Sequence, residues 1–128
     1  MPAACLGLGY SVEGVQRFVA LVGLQSVMDL FLTARPFDAA YALRTGFVAR
    51  VVAPDVLDET VNEIASSIAD NAPLTVRAVK LAARTALQPD PQLRRAAEQA
   101  VLACAASADY REGAQAFVDK RRPVFSGS

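Results

Sequence analysis

The stretch Phe47-Val48-Ala49-Arg50-Val51-Val52-Ala53-Pro54 decides how the rest of the chain is read. Its first six residues have the β-branched and aromatic content of one short strand. The Ala53-Pro54 step then closes it, because the proline ring pushes the residue before it out of the helical region. This is the clearest boundary in the sequence, so residues 1–52 and 53–128 are expected to form two parts.

Upstream of the stretch the pattern is helical. From Val12, the apolar residues Val15, Phe18, Val19 and Val22 recur at helical spacing and stop at Gly23. Val27-Met28 and Leu30-Phe31-Leu32 read as a second helix ending near Thr33, and Pro36 breaks the pattern. Phe37 to Thr45 carries a short helix with Gly46 placed to end it. Downstream, everything reads as helix. Leu57, Val61, Ile64, Ala65 and Ile68 make one apolar stripe, with Asp55 expected as the N-cap. Pro73 ends that helix and opens the next, which runs to about Leu87. Asp90-Pro91 is a strong start signal for a helix whose buried face is expected from Leu93, Ala97, Val101 and Cys104. Ser107 or Asp109 opens the last helix, on which Tyr110, Ala114 and Phe117 share a face.

The expected fold class is therefore mainly α, with about seven helices and one short strand. That inventory is odd for an independent fold, because a lone strand leaves its backbone N–H and C=O groups without a ladder. The strand at Phe47–Val52 is expected to need a sheet that this chain does not encode.

Composition sets further limits. The chain has 128 residues, 53% hydrophobic and 20% charged, with thirteen basic and thirteen acidic side chains. A chain of this size can bury roughly two-thirds of its unfolded surface. The charge balance gives no global field for nucleic acid, which is not an expected partner. No apolar run approaches a membrane span, and the apolar start Met1–Tyr10 has no basic n-region and is followed by an amphipathic pattern, so a cytoplasmic protein is expected. There is no histidine, which removes imidazole bases and most zinc sites. Cys5 and Cys104 sit among small apolar residues and are read as small core hydrophobes.

The tail, Asp109-Tyr110-Arg111-Glu112-Gly113 followed by Ala116-Phe117-Val118-Asp119-Lys120-Arg121-Arg122-Pro123-Val124-Phe125, resembles the end of an enoyl-CoA hydratase or isomerase of the crotonase superfamily. Four more motifs follow the family's order. Pro2, Leu6, Gly7, Gly14, Gln16 and Arg17 match a motif like Pro-Glu-x-x-Leu-Gly-x-x-Pro-Gly-x-Gly-Gly-x-Gln-Arg. Leu32-Thr33-Ala34-Arg35 and Ala42-Leu43-Arg44-Thr45-Gly46-Phe47-Val48 are similar to the "L-T-G-x-x…A-x-x-x-G-L-V" segment, and Asn71-Ala72-Pro73-Leu74 with Lys80 to the "N-A-P-L…K" helix pair. The resemblance covers Pro2 to Ser128. It implies the C-terminal portion of an α/β crotonase-like spiral fold, with residues 1–52 ending the core and 53–128 forming the helical C-terminal subdomain.

The resemblance also implies chemistry. The glutamate that in hydratases helps activate the added water falls at Ala3, and a carboxylate used by some dienoyl-CoA isomerases falls at Ser11. Glu13 is the nearest carboxylate, at a helix start where it complements the dipole. The family's two backbone donors to the thioester oxygen, its other catalytic glutamate and most of its CoA pocket belong to the upstream half, so the chain alone is expected to be inactive. Losing one oxyanion donor costs on the order of a hundred- to a thousandfold. Leu6-Gly7-Leu8-Gly9-Tyr10 is similar to a stretch of methylmalonyl-CoA decarboxylase-like members, where a tyrosine replaces the carboxylates, and this makes Tyr10 the candidate catalytic residue; its alternative is local packing. In family members the last helix reaches a neighbouring subunit of a trimer, and a lysine at Lys120 can meet CoA phosphate. Lys120 and Phe117 are thus the candidate cofactor-binding residues, while dipole compensation is the alternative for Lys120 and the preferred reading for Arg121 and Arg122. Arg77, Lys80 and Arg84 share a helix face read as solvated.

The expected ligand is an acyl-CoA thioester, with no covalent cofactor and no metal. The expected partner is a second copy in a trimer-based homo-oligomer, or a full-length relative. A non-catalytic interaction module is the rival reading.

Overall fold

The computed structural model describes residues 3–128, so Pro2 of the first motif lies outside the described residues. The chain divides into two compact units, Met1–Pro54 and Asp55–Ser128.

The first unit begins with a 3-10 turn at Ala3–Leu6, followed by α1 (Val12–Val22), α2 (Leu24–Thr33) and α3 (Ala39–Arg44). Ser11 caps α1 by accepting from the Gly14 N–H at 3.1 Å. Gly23 serves as both the end of α1 and the entry to α2: its N–H donates to the Val19 carbonyl at 2.9 Å and its own carbonyl accepts from Val27 at 3.2 Å. A φ of 80° at this elbow suits only glycine without strain. The amphipathic faces of α1 and α2 then close over Val22, Val27, Leu30 and Phe31. Around these pack Tyr10, Val15, Phe18, Val19, Phe37 and Tyr41. Phe31 meets Tyr10 edge-on at 4.4 Å and Phe18 at 5.2 Å.

The expected strand at Phe47–Val52 does not form. The N–H groups of Phe47 and Val48 both donate to the Ala42 carbonyl, at 2.9 and 3.3 Å, so the segment starts as the exit of α3 and continues without a ladder. The cause is the missing neighbour: no strand exists among the described residues to pair with it. Phe47 instead joins the aromatic cluster, stacked 6.0 Å from Phe18 and edge-on 5.7 Å from Phe37.

The second unit contains α4 (Leu57–Ala69), α5 (Pro73–Leu87), α6 (Pro91–Ala106) and α7 (Ala108–Val118). Asp55 does not cap α4; a 3-10 turn at Pro54–Val56 intervenes and Val56 occupies the cap position with no side-chain bond. Asp90 does cap α6, accepting from Gln92 N–H at 2.8 Å. Ser107 ends α6 and opens α7, its hydroxyl accepting from the Tyr110 N–H at 3.0 Å. α5 and α6 form the closest pair, and the small side chains Ala78 and Ala97 are buried on them. Val101, expected in the buried face of α6, is 54% exposed. On α7 the face shared by Tyr110, Ala114 and Phe117 is exposed, whereas Asp109 and Ala116 are buried. No described helix is long and apolar enough to cross a membrane.

Candidate functional site

The first candidate, Tyr10, is placed by the turn before α1. The Leu8 N–H donates to the Ala3 carbonyl at 3.0 Å, which folds the segment back. The Tyr10 hydroxyl accepts from the Ala3 N–H at 3.3 Å, while its ring packs against Phe31. The resemblance places Ala3 where the family's hydratases have a glutamate, and the phenol stands beside that residue's backbone. Because the hydroxyl accepts there, its own proton stays free to be donated. Ser11 is occupied as the α1 cap and Glu13 lies in the first turn of α1, both structural positions.

Phe117 and Lys120 lie in the second unit, at the end of α7. Lys120 donates its N–H to the Phe117 carbonyl at 3.3 Å, and Arg121 donates to the Ala116 carbonyl at 3.0 Å. This pair of bonds is a Schellman stop, with Lys120 in the left-handed position at φ 53° where glycine is favoured. A lysine there costs on the order of 1 kcal/mol relative to glycine. Phe117 is 86% exposed. The Lys120 ammonium forms no ion pair among the described residues.

Arg121 has a different task from dipole compensation. Its guanidinium bonds both carboxylate oxygens of Glu112, at 2.6 and 2.9 Å, and Glu112 also accepts from the Val124 N–H at 2.9 Å. The arginine, with that backbone donor, holds the Glu112 carboxyl down at about 2, and the Arg121 guanidinium is raised above its ordinary value in return. One turn earlier, buried Asp109 accepts from the Ser126 N–H at 2.7 Å and the Gly127 N–H at 2.9 Å. The Ser128 carbonyl closes the arrangement, accepting from Ala108 at 2.7 Å and Asp109 at 3.3 Å. Two carboxylates on one helix thus clasp the last residues of the chain. The sequence did not reveal this, because the partners lie 9 to 18 residues apart and nothing local announces them.

A second network missed in the sequence joins Asp29, Arg35 and Tyr41. Arg35 pairs with Asp29, whose carboxyl it lowers, and the Tyr41 hydroxyl donates to Asp29 at 3.2 Å. Both cysteines are free, with Cys5 exposed rather than in the core and Cys104 partly buried. Among the described residues no cluster of three or more His, Cys, Asp or Glu side chains could hold a metal ion.

These features define a mainly helical fold of two compact units. The sequence pattern of the enoyl-CoA hydratase/isomerase family matches residues 1–128, and the chain belongs to that family. It is 36% identical over 122 residues to a short-chain-enoyl-CoA hydratase of Clostridium acetobutylicum, covering 94% of this chain and 47% of that one. It is 35% identical over 132 residues to a carnitinyl-CoA dehydratase of Citrobacter koseri, covering 99% and 51%. Among solved structures, an enoyl-CoA hydratase from Bacillus anthracis superposes with a TM-score of 0.81 at 34% identity, covering 97% of this chain and 48% of that one. The chain therefore spans about half the length of the relatives it matches.

Proposed function

We propose that this chain supplies the C-terminal portion of a domain that handles acyl-CoA thioesters, residues 1–52 ending its core and residues 53–128 forming its helical subdomain. The observation that carries the reading is the Tyr10 phenol held against the backbone of Ala3. Ala3 can carry no proton, so activation of water by a carboxylate at that position is absent and the chain alone is no hydratase. Tyr10 orients the acyl group, and Phe117 with Lys120 meets the CoA moiety, the ring by contact and the ammonium by charge on a phosphate. The strained backbone of Lys120 supports a functional role, because strain persists where a side chain is needed. The last helix reaches a neighbouring copy in a trimer-based assembly in the cytoplasm.

The same phenol favours a second reading, a methylmalonyl-CoA decarboxylase-like reaction. The bond to the carboxylate breaks and releases CO2, its electrons pass to the thioester as an enolate, and the neutral Tyr10 O–H protonates the α-carbon, the resulting phenolate regaining its proton from solvent.

The test has two arms. Crotonyl-CoA and methylmalonyl-CoA are offered to the purified chain and to Tyr10→Phe; hydration of crotonyl-CoA well above background would overturn the reading of Ala3. Decarboxylation that disappears in Tyr10→Phe would establish the second reading. Separately, Lys120→Gly should raise thermal stability by relieving the left-handed strain while weakening CoA binding several-fold. Equal CoA binding by both proteins would remove Lys120 from the site.

A further inference from the structure

Residues 124–128 rest on α7 in the manner of a bound peptide. Main-chain N–H groups provide most of the bonds: that of Val124 donates to Glu112, and those of Ser126 and Gly127 donate to the two oxygens of Asp109. In return the Ser128 carbonyl accepts from the Ala108 and Asp109 amides at the start of α7. Two side chains add anchors. The Phe125 ring lies over Gly113, 3.6 Å from where a Cβ on that residue would stand. It also forms one wall of an apolar groove of about 480 Å³, with Val101, Tyr110 and Ala114. Upstream of the ring, the Arg121 guanidinium holds both oxygens of Glu112.

Gly127 makes the fit selective. Its φ of 79° is a left-handed conformation that a side chain strains, and a Cβ there would also touch the Pro73 ring at 3.5 Å. The pattern held is therefore Arg-x-x-x-Phe-Ser-Gly. Outside these anchors the tail faces solvent: Val124 is 80% exposed, and Ser126 and Ser128 are exposed as well. Few buried apolar contacts and solvent-facing hydrogen bonds put such a segment at the low end of local stability. While it is open, Asp109, Glu112 and the groove are available to any extended chain of the same pattern.

We propose that this face of α7 is a docking site for an extended segment of another protein carrying that pattern, and that the chain's own tail is the resident ligand which the segment displaces. The tail of a second copy gains nothing here. It offers contacts identical to those already made and competes with a tethered rival whose effective concentration is on the order of millimolar. A foreign segment with a larger ring fills more of the groove than Phe125 does, and so overcomes the tether. The site is covered by the tail rather than left bare, and its use does not depend on whether the chain binds acyl-CoA.

A fluorescent peptide reproducing residues 121–128, capped at both ends, tests it against the full chain as wild type and as Phe125→Ala, whose own tail has lost its ring. Binding is read by anisotropy, with helix content checked by circular dichroism. The Phe125→Ala chain should bind the peptide at least about tenfold more tightly than wild type, because its site is open for more of the time. Changes in the peptide leave the protein untouched. Phe125→Ala in the peptide, or N-methylation at Ser126 and Gly127, which removes the donors to Asp109, should abolish binding. Gly127→Ala should weaken it several-fold, and Phe125→Trp should tighten it. Should the Phe125→Ala chain fail to fold, Gly127→Ala in the full chain opens the tail by backbone strain and takes its place. An opened chain that does not bind, binding indifferent to N-methylation, or a Phe125→Trp peptide that binds no tighter would each overturn the proposal. So would a wild-type assembly that the peptide dissociates, since the site would then belong to a second copy's tail.

Discussion

Two residues hold left-handed backbone although they carry a side chain. Ala34 ends α2 at φ 50° and stands where the family segment similar to Leu32-Thr33-Ala34-Arg35 has a glycine; Lys120 ends α7 at φ 53°. At both positions the Cβ atom crowds the following carbonyl, a strain that glycine escapes. Ala34→Gly is expected to stabilise the first unit by about 1 kcal/mol, measured as a rise in urea midpoint with unchanged slope. The pH dependence also belongs to this scale. Glu112 is held at about 2, below the ordinary glutamate value of 4.5. A carboxyl lowered in the folded state binds fewer protons than the unfolded chain, so its stabilisation is complete above about 4.5 and is lost as pH falls through about 2. Acid titration followed by unfolding should show this loss, and Glu112→Gln should flatten the profile over that window.

At the scale of elements, α7 and the tail stand or fall together. Asp109 is 3% exposed and receives the Ser126 and Gly127 amides. Asp109→Ala leaves those donors unpaired and is expected to cost about 1–3 kcal/mol, with the tail beyond Lys120 becoming a site of proteolytic cleavage. Limited proteolysis followed by intact-mass measurement checks it; a tail as resistant as wild-type would refute the clasp. Helix starts and stops were legible in the sequence because caps are local. Gly23, Gly46, Pro73, Asp90 and Ser107 each act within a few residues, and each punctuates the structure where read. Faces were less legible, because burial depends on a neighbour: Val101 was read into the buried face of α6 and is exposed here. The strand at Phe47–Val52 was unreadable for the same reason, since β-branched content becomes a strand only beside another strand. Of the candidate site, the sequence suggested Tyr10, Phe117 and Lys120. It gave no sign that the phenol would meet the Ala3 amide, a contact made by the turn between them.

At the scale of the whole chain, the two units differ in what holds them. The first has a compact aromatic cluster around Phe31; the second buries chiefly alanines, with Leu74, Val76, Leu81 and Leu93 half-buried and many other large apolar side chains exposed. Removing the Phe31 ring is expected to cost about 3–5 kcal/mol, a large share of the roughly 5–15 kcal/mol available to a domain. Phe31→Ala should thus abolish the near-ultraviolet signal of the first unit, whereas a signal at wild-type strength would show that the cluster is not its core. The clasp has one more consequence. Because the Ser128 carbonyl is docked on the first amides of α7, residue 128 and residue 108 are held at a short fixed separation. A pair of fluorophores at those two points would turn the end of the chain into an optical gauge, quenched while Asp109 and Glu112 keep their grip and bright once either lets go.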